Sequence, residues 1–168
     1  MPSVRISKKF NSEIYFLTLS VKNLYYLFDR QYRWNILAES LKYCQKTKNL
    51  KIFGFVFMLN HIHLIVQSPD VAGFIRDFKK FTAKKIHKNI ENTEPAVLKL
   101  FMNEDGSCEF WAKTNMPKII ESVDFFENKL DYVHNNPVKK NYVIRPEYWY
   151  WSSANADCEI KIDDIENS

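Results

Sequence analysis

No apolar run in this 168-residue chain approaches the roughly 18 residues that a membrane-spanning helix needs. The stretch from Met1 to Phe10 also lacks the apolar segment of a secretory leader. Both absences lead to the expectation of a cytoplasmic protein with no membrane partner. Cysteine is scarce as well. Cys44, Cys108 and Cys158 are odd in number and far apart, which excludes a disulfide framework and matches no zinc-knuckle spacing, so they are expected to be reduced and without a role. There is no internal repeat and no low-complexity segment, which excludes solenoid and disordered architectures.

What is present is core material. Hydrophobic residues make up 46% and aromatics 15%, enough for one globular domain and some aromatic faces left over for a ligand. The net charge of +4 is unevenly spread: residues 155–168 carry five acids against Lys161, net −4, which leaves +8 on the rest. We therefore expect one domain over residues 1–154, an acidic tail over 155–168, and a polyanionic partner for the basic body.

Glu13 to Val21 is β-branched and aromatic and reads as a first strand. Trp34, Leu37, Leu41 and Cys44 recur at helical spacing within 33–48. Lys51–Met58 and His61–Gln67 read as two strands joined tightly at Leu59-Asn60, a hairpin. Val71 to about Ile90 reads as a second helix with an apolar stripe through Phe74, Phe78 and Phe81. A polar connection over 91–107 and an irregular strand over Glu109–Ile120 follow. Ser122 suits the N-cap of a third helix, with Asp124 in its first turn. Pro137 predicts that this helix ends near Asn136, because proline disfavours helical geometry in the residue before it. The order βαββαβα implies an α+β domain, an antiparallel sheet with packed helices.

His61 and His63 alternate with Ile62 on one strand, so the two imidazoles project to the same side. Paired imidazoles on a rigid strand begin a metal site that needs further ligands from elsewhere. On the third helix the core stripe runs through Phe126, Leu130 and Val133. Tyr132 lies about 120° from Phe126 and Asn136 about 40° from Tyr132, so both occupy a flank one turn apart. If that flank faces the histidines, two imidazoles and an amide oxygen hold a divalent cation beside a phenol. Such a cation binds a phosphate oxygen and orients an in-line attack by Tyr132. Arg76, Lys79, Lys80, Lys84, Lys85 and Lys88 give the second helix a basic face, either merely solvated or, as we favour, touching phosphates. His87 reads as a surface residue and His134 as lying on another helix face. Trp149, Tyr150 and Trp151 either pack on the domain or stack on bases, and Tyr142 and Tyr148 are rival nucleophiles.

Met58-Leu-Asn-His-Ile-His-Leu64 resembles the His-hydrophobic-His motif of single-tyrosine HUH transposases. Tyr132-Val-His-Asn-Asn-Pro-Val138 and Arg145-Pro-Glu-Tyr-Trp-Tyr-Trp-Ser-Ser153 look like the signature of their REP-associated branch. Phe78-Lys-Lys-Phe-Thr-Ala-Lys-Lys85 is similar to its basic helix. Leu59, where the family usually has proline, and Lys139-Lys140-Asn141, where it usually has small residues, depart from the pattern. The resemblance implies a ferredoxin-like core and a metal-dependent endonuclease and strand transferase acting on single-stranded or hairpin-tipped DNA. It implies Tyr132 as a nucleophile forming a 5′-phosphotyrosine, and His61, His63 and Asn136 as ligands of Mg²⁺ or Mn²⁺. It further implies a monomer or homodimer working at the nucleoid. Two other readings stay open: a domesticated DNA-binding protein without transposition, and an RNA-binding domain of related topology.

Overall fold

The computed structural model describes residues 5–165. Its elements run β1 (Tyr15–Ser20), α1 (Arg33–Thr47), β2 (Lys51–Phe57), β3 (His61–Gln67), α2 (Val71–Thr93), β4 (Lys118–Ile119) and α3 (Val123–Lys139). The strands form one antiparallel sheet in the order β2-β3-β1-β4, the α+β arrangement of a ferredoxin-like core.

Strand alternation sorts the side chains into two cores. Leu17, Leu19, Phe55, Phe57, Ile62, Leu64 and Val66 point to the face covered by α1 and α2. Phe16, Val56, Ile65 and Val133 form the smaller core under α3. The register slips between Ile52 and Gly54, a bulge that adds Phe53 to the α3 side. A Cβ on Gly54 would stand 2.6 Å from Leu130 Cδ1. The glycine is what lets α3 settle against β2.

Several elements depart from the sequence expectations. Helix α3 does not stop at Asn136 but continues through Pro137 to Lys139. Proline forfeits only its own bond to the carbonyl four residues back, and Asn136 and Pro137 are buried, so packing outweighs the local preference. Phe81 is 46% exposed and is not on the core stripe of α2. Thr82 takes that place, its hydroxyl bonded to the Phe78 carbonyl (2.7 Å) and the Trp111 indole (3.0 Å). The polar connection after α2 contains a 3-10 helix, Pro95–Phe101, that buries Phe101. The irregular fourth strand is a true ladder only at Lys118–Ile119. Upstream it still follows β1 through Ala112 N to Ser20 O (2.7 Å) and Thr18 N to Asn115 O (2.9 Å). Pro117, with no N–H, and Met116, at φ 43°, interrupt it.

The acidic C-terminal segment is tied to the outer edge of the sheet as far as Asp163, which exchanges bonds with Ile52 (2.7 and 2.9 Å). Cys158 and Ile160 enter the main core. Glu166 and the two residues after it lie outside the described residues. All three cysteines are free, and no helix among the described residues is long and apolar enough to cross a membrane.

Candidate active site

The α3 face of the sheet carries His61 and His63, opposite the face covered by α1 and α2. Across the strand pair Thr18 is directly opposite His63, and its Oγ1 lies 3.0 Å from His63 Nδ1. His61 Nδ1 lies 2.7 Å from Asn60 Oδ1. The Asn60 amide is oriented by its own donation from Nδ2 to the Leu24 carbonyl, 3.0 Å. Its Oδ1 therefore accepts, His61 Nδ1 carries the proton, and Nε2 of that ring keeps its lone pair.

His63 is 4% exposed, and its Nε2 is a buried atom with no hydrogen-bond partner among the described residues. An orphaned donor there would cost more than an orphaned acceptor. The favoured tautomer thus donates Nδ1–H to Thr18 and leaves the Nε2 lone pair free. Burial, and then the Lys140 charge, push the His61 imidazole down to about 4. Burial, then His61 and Lys129, push His63 down to about 3. Both rings are neutral at pH 7, the state in which imidazole binds metal.

Helix α3 lies across them. Ser122 Oγ accepts from Phe125 N (3.1 Å) and fixes its start. The Tyr132 ring meets His63 edge-on at 5.3 Å between centroids. It also meets Phe16 at 6.1 Å, and Phe16 in turn stacks on His63 at 5.3 Å. Tyr132 is 42% exposed and open to a substrate. Two turns on, Lys140 acts on His61. Asn136, one helical turn from Tyr132 on the same flank, is only 6% exposed. Among the described residues no third His, Cys, Asp or Glu joins the pair; the Asn136 amide, on the α3 flank one turn from Tyr132, is the candidate third donor. Two neutral imidazoles with free Nε2 atoms and an amide oxygen fit a small divalent cation.

Cations surround the phenol. Lys129 Nζ stands 4.8 Å from the Phe16 ring centre and 5.5 Å from that of Tyr132. Burial first and Lys118 second hold its ammonium below the usual lysine range. Lys139 Nζ lies 6.0 Å from the Tyr132 ring centre.

The basic residues of α2 are not brought to this face. Arg76 pairs with Asp77 (3.1 Å), which also binds Lys48 (2.7 Å). Lys79 turns inward to the Ala112 carbonyl at 2.8 Å, and burial pushes it down to about 8. Lys80, Lys84, Lys85 and Lys88 are exposed. Arg76, Lys79 and Lys80, with Lys113, line a groove of about 600 Å³ between α2 and residues 108–113. His87 pairs with Glu91 at 3.2 Å, and His134 Nε2 lies 2.7 Å from Ser153 Oγ, away from the pair. Trp151 is buried in the main core, Trp149 is half-buried, and Tyr150 is exposed.

Sequence reasoning missed Thr18, Asn60, Lys129, Lys139 and Lys140. The last two could have been found by carrying the Tyr132–Asn136 flank one more turn. Thr18 depended on strand register, for which the sequence carries no turn signal.

The profile of the family described as "Transposase IS200 like" matches residues 9–136. No curated protein matches the chain by sequence. Among solved structures the fold is similar to one described as "Structure of the REP associates tyrosine transposase bound to a REP hairpin". The TM-score is 0.69 and the identity 18%, over 99% of this chain and 96% of that one.

Proposed function

The chain belongs to the IS200-like transposase family, enzymes that cut and transfer DNA, and from that premise we propose that it cleaves and rejoins single-stranded DNA through Tyr132. The Tyr132 oxygen attacks the scissile phosphorus, the P–O3′ bond breaks, and the strand is held as a 5′-phosphotyrosine. The phenol loses its proton, the departing 3′ oxygen gains one, and reversal by a DNA 3′-hydroxyl rejoins strands without ATP. Lys129 and Lys139 supply positive charge where the phenolate and phosphate develop negative charge. His61, His63 and Asn136 would hold a divalent ion, with Thr18 and Asn60 fixing the imidazoles. When bound, Mg²⁺, or Mn²⁺ as the better match to imidazole, neutralises charge on the phosphate and orients the in-line attack.

The observation that carries this reading is His63 Nε2, a buried nitrogen without a partner among the described residues on a ring that Tyr132 touches. A purely structural histidine would be satisfied at both nitrogens. The REP hairpin bound by the structural neighbour supports a hairpin-tipped substrate, and the exposed cations of α2 are proposed to hold phosphates of that duplex on the other face.

The test is covalent trapping of labelled single-stranded DNA followed by mass spectrometry. A nucleotide on Tyr132, abolished in Tyr132→Phe while the fold survives, is expected. An adduct on Tyr142, Tyr148 or Tyr150 would refute the assignment, and no adduct at all would leave a DNA-binding protein.

A further inference from the structure

Beside the histidine turn the surface carries aromatic rings that the chemistry above does not use. Tyr142 stacks face to face on Trp149, 5.5 Å between centroids and 24° between planes. Trp149 is itself fixed by an indole bond to the Phe57 carbonyl (2.9 Å) and by the edge of Trp34 at 5.8 Å. Burial first, and then the neighbouring Tyr26 and Asp29, push the Tyr142 phenol up. Tyr26 is 57% exposed, although it is a large hydrophobic ring.

Both rings are anchored to the candidate site. Tyr142 N donates to the Pro137 carbonyl at the end of α3 (3.0 Å). The loop that carries Tyr26 is bound to the turn before His61. Leu27 N and Phe28 N donate to Leu59 O, each at 3.1 Å, and Val21 N donates to Asn60 O at 2.8 Å. In the same loop Asn23 and Leu24 are both in the left-handed region, at φ 58° and 55°.

We infer that Tyr26 and Tyr142 form a stacking platform for unpaired bases of single-stranded DNA next to the cleaved phosphodiester. Every base has a π face, so such a platform holds a single strand with little regard to sequence. It rejects duplex, whose bases are stacked already. A ring backed rigidly by an indole loses little freedom when a base settles on its open face. Lys139, the last residue of α3, and Lys140, its C-cap, lie in the chain between Tyr132 and Tyr142, placed for the phosphates. From Tyr132 to Pro137 the helix advances roughly 8 Å at about 1.5 Å per residue. Over that distance the bases held are those within a few positions of the cut. The inference rests on the single-strand reading of the site given above.

The test compares a short oligodeoxyadenylate with an abasic strand of equal length and charge, by fluorescence anisotropy on the full chain. Tyr26→Ala and Tyr142→Leu are each expected to weaken oligodeoxyadenylate binding about five- to hundredfold. Affinity for the abasic strand should be unchanged, and Tyr142→Phe should keep full affinity. Tyr26 is exposed, so its removal leaves the fold intact even if Tyr142→Leu disturbs Trp149. No loss, or an equal loss on the abasic strand, overturns the platform. A change in sedimentation of the protein alone in Tyr26→Ala, with DNA affinity intact, also overturns it and assigns the patch to protein contact. If the wild type binds neither strand, the single-strand reading fails first and takes this site with it.

Discussion

Replacing Thr18 by valine removes one hydroxyl at nearly constant volume and isolates what holds His63. The Thr18 Oγ1 to His63 Nδ1 distance is 3.0 Å, and the ring is almost fully buried. Without the hydroxyl, Nδ1–H has no acceptor, a cost of about 1–3 kcal/mol. For a chain of this length that lowers Tm by about 2–4 °C per kcal/mol. The ring is also deprived of the hydrogen bond that orients its Nε2, and removing such an outer partner weakens metal affinity about 10–100-fold. Two measurements bear on this. Thermal unfolding and Mn²⁺ titration of strand cleavage should both shift in Thr18→Val, with the cleavage rate recovering at saturating metal. A nitrogen–proton correlation spectrum of the wild-type imidazoles, taken without metal, should show His63 protonated at Nδ1. A spectrum with the proton on Nε2 would mean that Thr18 donates, and the whole account of that ring would fall. Unchanged metal half-saturation in Thr18→Val would refute it equally.

Two further outcomes follow from other parts of the molecule. Arg33, fully buried, donates to Glu94 at 2.6 Å, and that bond is the first cause holding the Glu94 carboxyl below its usual range. A depressed folded value means stability that is present above the unfolded pKa of about 4.3 and is lost as pH falls through the folded one. Glu94→Gln should cost about 3 kcal/mol at pH 7, the low side for a broken buried pair because the carboxylate keeps some water. It should also flatten the acid limb of a Tm-against-pH curve, and an unchanged limb would rule the pair out as its source. For DNA, Lys139→Gln with Lys140→Gln should reduce both cleavage and single-strand affinity. Gln at Lys79, Lys80 and Lys84 should reduce hairpin affinity while cleavage of a saturating strand continues. The log–log salt slope falls by roughly 0.7 for each single-strand phosphate, and roughly 0.9 for each duplex phosphate, that is no longer neutralised. In the α2 triple variant it should fall by less than three phosphates' worth, because Lys79 points inward. Equal loss of cleavage in both sets would contradict the assignment of the two faces.

The separation of those two faces was readable in the sequence, though composition alone did not reveal it. Ile62, Leu64 and Val66 alternate with the histidines, so they face the other way and need cover. The crossover helices after β1 and β3 both follow the right-handed rule and cover the same side of the sheet. A basic helix in the second crossover therefore cannot face His61 and His63, however many lysines it carries. Element periods, by contrast, were plain. The first strand, α1, the hairpin and α3's capped start all rest on local patterns of two or 3.6 residues. What periodicity could not give was choice among near-equal positions. Phe81 and Thr82 differ by one step on α2, and Thr82 prevails because its hydroxyl finds two partners in the core. The helix passes Pro137 for a similar reason, since burying Asn136 and Pro137 outweighs one missing bond.

That extra turn matters to the chemistry proposed here. Had α3 stopped at Asn136, the asparagine would sit in a loose terminus and Lys140 in a loop. Continued to Lys139, the helix holds Tyr132 and Asn136 at a fixed rise from each other, while β3 holds the histidines. The Tyr132 and Asn136 side chains then move together, and their position relative to the imidazoles depends on how α3 packs on the sheet, with Leu130 over Gly54 and Val133 in the core, and with Phe16 beside both Tyr132 and His63. A site divided between one strand and one helix in this way is more exact than one built on loops. It also leaves the phenol free to rotate outward with its phosphate while the ligands stay in place. Tyr132 is 42% exposed and Asn136 only 6%, the difference that the roles proposed for them, a nucleophile carrying a DNA end and a ligand that stays in place, require.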